Sequence, residues 1–165
     1  MKNIISISLL NELFEYKDGN LYRKINRGKK WFAGQQAGRL HPNGYRYVSI
    51  NKINYLEHRL IFAMHHNYFP ENIDHIDLNK SNNLIKNLRE VTHQENCYNR
   101  PIRKDNTSGI AGVTWSKEYK KWTVRIVVNG KRLFLGRFVD ISMAKLIANN
   151  AKIEYHKEFA NVWNR

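Results

Sequence analysis

The stretch from Ile73 to Asn96 leaves the chain few folds to choose from. Ile73 to Ile76 has strand character, Asp77 to Asn83 is a polar turn rich in asparagine, and Leu88 to Val91 is a second short strand. Thr92 and Glu95 stand three apart as a capping box, so a helix starts at Thr92 and runs to about Arg100, where Pro101 discourages it. The order is strand, turn, strand, helix. Helical side chains tilt toward the N-terminus of their helix, so Asn96, on the first turn, is expected to point back toward the strands that carry Asp74 and His75.

That placement gathers a carboxylate, a carboxamide and an imidazole. The oxygen donors of Asp74 and Asn96 suit one hard divalent ion, Mg2+ or Mn2+, which keeps several waters and accepts phosphate oxygens. His75, with an ordinary pKa near 6.5, can take a proton from an attacking water. Adjacent strand residues point to opposite faces, so joint action by Asp74 and His75 requires a bend or bulge there. A regular, flat strand through both would speak against the mechanism.

Together, His58-Arg59-Leu60, Asp74-His75-Ile76-Asp77, Asn79-Lys80, Asn82-Asn83, Asn87-Leu88-Arg89, Val91-Thr92 and Asn96 resemble the HNH endonucleases of phages and group I introns, including homing endonucleases. The resemblance implies a ββα-metal motif over about 73–100, with His75 and Asn87 at its catalytic positions, His75 as general base and Asn87 holding the motif in shape. Asp74 and Asn96 are then the metal ligands. His58 matches a recurrent upstream histidine and, with Arg59, is a candidate for active-site support. The implied reaction is hydrolysis of a DNA phosphodiester to a 5′-phosphate and a 3′-hydroxyl. A lone Asp-His pair or an asparagine-rich turn means little by itself; the specificity lies in the combination.

Charge supports a nucleic-acid partner. The net charge is +14, and the excess of Lys and Arg over Asp and Glu is six in residues 1–57, none in 58–100, seven in 101–139 and one in 140–165. Two basic stretches thus bracket a neutral centre, as expected if the centre surrounds a cation while its neighbours hold a phosphate backbone. The first third reads as short strands, with a hairpin turn at Lys17-Asp18-Gly19-Asn20 and a basic loop from Asn26 to Trp31 suited to a strand-backbone contact. A helix follows from His58 to His66, with Leu60, Ile61 and Met64 on one face and Asn67 as its cap.

After a proline-containing polar linker at 101–108, three strands are expected at Ile110–Trp115, Lys121–Val128 and Lys131–Phe138, the last two joined by Asn129-Gly130. Asp140 then caps a helix with a stripe of Ala144, Ala148, Ala151 and Tyr155. Strand alternation sends Trp122, Val124, Ile126, Leu133 and Leu135 toward that helix and Arg125, Arg132 and Phe134 to the other face. Lys121 and Lys131, at the strand starts, add to this candidate DNA surface. Residues 109–161, through Gly112-Val113, Lys121-Trp122, Asn129-Gly130, Arg132, Phe134-Leu135-Gly136 and Phe138, resemble the DNA-binding domain of plant ethylene-response factors. That resemblance implies that the sheet reads duplex DNA. Thr114 and Ser116 replace the arginines of the plant first strand, so the plant target sequence does not carry over.

The expected fold class is α+β: a strand-rich N-terminal part with a ββα-metal core, then a three-stranded antiparallel sheet packed on one helix. The expected domains are 1–100, a linker at 101–108, and 109–165. One cysteine, Cys97, rules out an internal disulfide and a finger built on paired cysteines. No run of 18 apolar residues exists. These features predict a cytoplasmic protein without membrane contact or small-molecule cofactor, and the resemblances imply a phage-encoded or bacterial origin and action as a monomer or weak dimer on double-stranded DNA. A DNA-binding regulator with an inert nuclease motif is the competing reading. An RNA-binding protein is a weaker third, since no aromatic RNA-binding signature occurs.

Overall fold

The computed structural model describes residues 5–102 and 104–160. Arg103 of the expected linker, residues 1–4 and residues 161–165 of the expected C-terminal domain lie outside the described residues. The chain divides into two compact units, Met1–Val91 and Thr92–Arg165. The class is α+β and every sheet is antiparallel.

The first unit opens with α1 (Ile7–Leu13), whose N-cap Ser6 accepts from the Leu9 N–H. The sequence reading expected only strands in this region. At seven residues α1 is too short to display a helical period, and burial of Leu10 and Leu13 holds it in place. β1 (Phe14–Lys17) and β2 (Asn20–Arg23) form the expected hairpin. Its turn residues Asp18 and Gly19 have φ of 47° and 81°, the positive values of the tight turn that suits strand twist.

β3 (Arg39–Leu40), β4 (Arg46–Ile50) and β5 (Ile53–Leu56) make a second sheet in that order. β5 was not foreseen, because its turn, Asn51-Lys52, lacks the usual glycine. α2 (Glu57–His66) buries Leu60, Ile61, Phe62 and Ala63 in a core shared with Leu10, Leu13, Phe14, Leu21, Val48 and Ile50. Asn67 ends it in the left-handed region, at φ 62° and ψ 22°. Trp31 packs on Phe14 at 5.6 Å and lies under Arg23 at 4.9 Å. It therefore fastens its basic loop to the core. β6 (Asn72–His75) and β7 (Leu88–Val91) form the third sheet, with a 3-10 turn at Ile85–Asn87 leading into β7.

The second unit begins with α3 (His93–Tyr98), in which both bonds of the Thr92–Glu95 capping box are present. Farther on, β8 (Val113–Ser116), β9 (Lys121–Val128) and β10 (Lys131–Phe138) form a sheet in the order β10-β9-β8. The β9–β10 turn, Asn129-Gly130, has φ of 51° and 73°. α4 (Ile141–His156) starts where Asp140 accepts from the N–H groups of Ser142 and Met143. Ala144 and Ala148 pack on Val113 and Val124, with Ala151 also buried. Tyr155 leaves the expected stripe and is 41% exposed; His156 is buried one position later, with Nε2 2.8 Å from the Val127 carbonyl. The register of β9 and β10 shifts between Phe134 and Gly136, a bulge at Leu135 that the alternation did not foretell.

Candidate active site

β6 and β7 pair without interruption: Asn72 with Val91, Ile73 with Glu90, Asp74 with Arg89, His75 with Leu88. The bulge expected at Asp74-His75 is therefore absent, which corrects the sequence reading. The strand instead stops at His75, and the chain turns at once, with Leu78 N–H donating to the His75 carbonyl and Leu78 at φ 64°. Asp74 and His75 are both buried. Asp74 lies opposite Arg89, whose Nε and terminal nitrogen both reach Asp74 Oδ2, at 3.0 and 2.7 Å. Opposite charges directly across an antiparallel pair are a readable signal, and the sequence reading missed it.

The turn from Asp77 to Asn87 is built by side chains. Asn87 Nδ2 donates to Asp77 Oδ1 at 2.9 Å and to the Asn82 carbonyl at 2.8 Å, while Asn87 Oδ1 accepts from the Asp77 N–H. Asn82 Nδ2 donates to Asp77 Oδ2 at 2.7 Å, and the Asn79 N–H donates to Asp77 Oδ1. Burial would raise the Asp77 carboxyl, but these donors and His75 outweigh it and hold the group below the usual range. Asn87 thus makes three hydrogen bonds within this turn.

His75 looks into a ring cluster. His58 lies 4.9 Å from it edge to face, and Tyr45 is 5.3 Å from His58 and 6.0 Å from His75. Burial lowers the His75 pKa, and Lys80 adds to that; the Asn83 hydrogen bond, Asp77 and Asp74 oppose it without prevailing. His75 is thus neutral, and able to accept a proton, at neutral pH. Burial, then His75, then Arg59 push His58 down to about 3, and its Nδ1 has no hydrogen-bond partner. Tyr45 is raised by burial first, then by Asp74. The Asp74 charge therefore acts on both Tyr45 and His75 despite the regular register. Arg59 is turned to other work: it donates to the carbonyls of Pro70 and Glu71, at 2.6 and 3.2 Å, and holds the approach to β6.

His75 Nε2 lies 3.1 Å from Asn83 Oδ1, and Asn83 Nδ2 lies 3.4 Å from Glu57 Oε2. Glu57 is fully buried; its Oε2 also accepts from Arg46 Nε at 2.7 Å, and its Oε1 from the Leu21 N–H at 3.0 Å. A methyl group on Gly38 would overlap this carboxylate. Sequence reasoning missed Glu57 and Arg46, because a charged residue at a helix start reads as solvent-facing.

Asn96 sits in the second unit, on α3. Gln94 Nε2 donates to Asn129 Oδ1 at 2.9 Å and to the Tyr98 hydroxyl, which also accepts from the Asn129 N–H at 3.3 Å. Tyr98 stacks flat on His156 at 3.7 Å. On the sheet, Arg125, Arg132 and Phe134 are exposed, as are Lys121 and Lys131. Arg125 and Phe134 are register partners, and Arg137 lies over the rings of Tyr119 at 3.6 Å and Phe134 at 5.2 Å. Tyr119 and Arg137 extend the aromatic and basic face beyond the residues expected.

No group of three or more His, Cys, Asp or Glu side chains able to hold a metal occurs among the described residues. The donor set read from the sequence is of another kind, one carboxylate and one carboxamide oxygen. Arg89 engages Oδ2 of the Asp74 carboxylate. With water and phosphate oxygens completing its shell, a hard divalent ion is chemically suited to that set.

A strand hairpin carrying Asp74-His75, a turn pinned by Asn82 and Asn87, and a capped helix agree with what comparison finds: the family model for HNH endonucleases matches residues 55–98, so the chain carries an HNH endonuclease domain. Protein 3.8 of Escherichia phage T7 is 43% identical over 90 residues, covering 53% of this chain and 72% of that protein. The chain belongs to the same family as this phage protein. No solved structure matches it. No helix among the described residues is long and apolar enough to cross a membrane.

Proposed function

We propose that the protein is a divalent-metal-dependent endonuclease that hydrolyses phosphodiester bonds in double-stranded DNA, one strand per encounter. The observation that carries this reading is the buried Asp74-His75 pair, held at the end of β6 by an asparagine-built turn inside the segment that matches the HNH family. Asp74 and Asn96 would hold one Mg2+ or Mn2+. Such an ion would offset charge on the scissile phosphate and on the departing oxygen. His75 takes the proton of the attacking water as its oxygen bonds to phosphorus. The phosphorus bond to the 3′ oxygen breaks, leaving a 5′-phosphate and, once protonated, a 3′-hydroxyl.

Functionally, residues 1–100 form the nuclease, 101–108 the linker and 109–165 a module of the ethylene-response-factor type. In that module Arg125, Arg132, Phe134, Lys121 and Lys131 hold the duplex, phosphate contacts supplying affinity and the sheet face supplying register. The phage relative and the net positive charge support action on DNA in a bacterial host cytoplasm. One active site per chain cuts one strand, so a monomer nicks and a double-strand break needs a dimer or two visits.

The second reading, a DNA-binding regulator with an inactive motif, is favoured by two observations: Arg89 already neutralises Asp74, and β6 pairs regularly through Asp74 and His75 with no bulge to turn both side chains to one face. Nicking of supercoiled plasmid with Mg2+ decides between them. The endonuclease reading expects open circles with wild type and none with His75→Ala, which still shifts duplex DNA. Undiminished DNA binding with no cutting by wild type, across Mg2+ and Mn2+, makes the protein a regulator. Linear product formed at first order in monomer would refute nicking.

A further inference from the structure

A buried relay runs from Arg46 through Glu57 and Asn83 to His75, all within the first unit. Each link fixes the next. Glu57 faces the Arg46 guanidinium at 2.7 Å with no solvent exposure, so it is a carboxylate and can only accept. The side-chain amide of Asn83, itself buried, must then turn its NH2 toward Glu57 Oε2. That orientation leaves Asn83 Oδ1 toward His75, and a carbonyl oxygen cannot donate. Glu57 alone fixes this orientation, because turning the amide over would set the Asn83 carbonyl against a buried carboxylate.

We infer that Asn83 is a positioning residue that locks His75 in the tautomer with its proton on Nε2 and its lone pair on Nδ1, with Glu57 and Arg46 fixing Asn83 in turn. Resting on the endonuclease reading, this gives the general base one fixed tautomer and one ring orientation. An unanchored imidazole would divide itself between two tautomers and two ring orientations, only one of which presents a lone pair to the substrate. Loss of a partner that orients a functional histidine lowers activity by about 10- to 100-fold. Asn83→Leu therefore lowers kcat by that factor and leaves KM and duplex affinity within about twofold.

The test uses the full chain labelled with 15N on histidine, at a pH where the rings are neutral, with His75 assigned by comparison with His75→Ala. A pyrrole-type resonance at Nε2 and a pyridine-type resonance at Nδ1 are expected in the wild type. In Asn83→Leu the two resonances move toward intermediate, averaged positions. The opposite tautomer in wild type, or full kcat in Asn83→Leu, overturns the inference. Because the wild-type spectrum does not depend on the leucine variant, a leucine variant that fails to fold leaves it decisive. Plasmid nicking on the same sample separates the two ideas. A chain that nicks with the opposite tautomer sinks the inference alone, whereas a chain that never nicks sinks the endonuclease reading while the spectrum still reports the lock.

Discussion

Acidification should weaken the first unit through His58. The ring is buried between Tyr45 and His75, and burial holds its pKa at about 3 against 6.5 for a free histidine. The folded state therefore binds fewer protons than the unfolded state between those two values. Stability from this group is complete above pH 6.5 and falls as pH drops toward 3. At pH 5 the loss is about 2 kcal/mol, at 1.36 kcal/mol per pH unit. For a domain of this size 1 kcal/mol moves Tm by about 4–8 °C, so a fall on the order of 10 °C between pH 7.5 and pH 5 is assigned to His58. His58→Phe keeps a ring and cannot take a proton, so its Tm falls by that much less over the same interval. Thermal unfolding of both proteins, followed by hydrogen exchange in peptides from α2 and β6, measures the difference. An NMR titration of the His58 ring adds a direct check. Parallel losses in the two proteins, or a ring that titrates near 6.5, would refute the reasoning.

Three further outcomes follow from single contacts. Arg89→Ala leaves Asp74 buried without its guanidinium and costs about 3 kcal/mol in urea unfolding; a loss below 1 kcal/mol means water replaces the arginine. Asn87→Ala removes two donated bonds and one accepted bond from the Asp77 turn and costs about 2–4 kcal/mol, with β6 and β7 amides exchanging faster than those of α1. Phe134→Ala and Arg125→Ala, on an exposed face, leave Tm within about 2 °C. Each weakens duplex binding, and Arg125→Ala lowers the slope of log affinity against log salt by about 1; unchanged binding in both would remove the sheet from the DNA interface.

The second half of the fold was largely legible. β9 and β10 occupy the residues that alternation and Asn129-Gly130 assigned to them, and α4 begins at the Asp140 cap. These features are local, and local signals survive packing. The first unit was harder. α1 has too few residues to reveal a period, and β5 follows a turn without glycine, so tertiary burial decides both. In the matched segment, the spacing of Asp74, His75 and Asn87 was visible in the sequence, as were the two short strands and the capping box around them. Arg46, Glu57 and Asn83 form a relay between residues 11 and 26 positions apart, and no sequence periodicity announces a buried carboxylate. The bulge at Leu135 escaped for the same reason: one extra residue changes a face without changing composition.

The short helix that carries Asn96 rests on the tip of the β9–β10 hairpin and on the end of α4, through Gln94, Tyr98, Asn129 and His156. A chain ended at residue 100 would keep every motif residue and lose the platform under one of them. Transplanting the sheet alone to another protein would likewise abandon a helix it braces. Exchange of one module for another, simple in proteins built like beads on a string, is open to this chain only if residues 92–98 travel with the sheet.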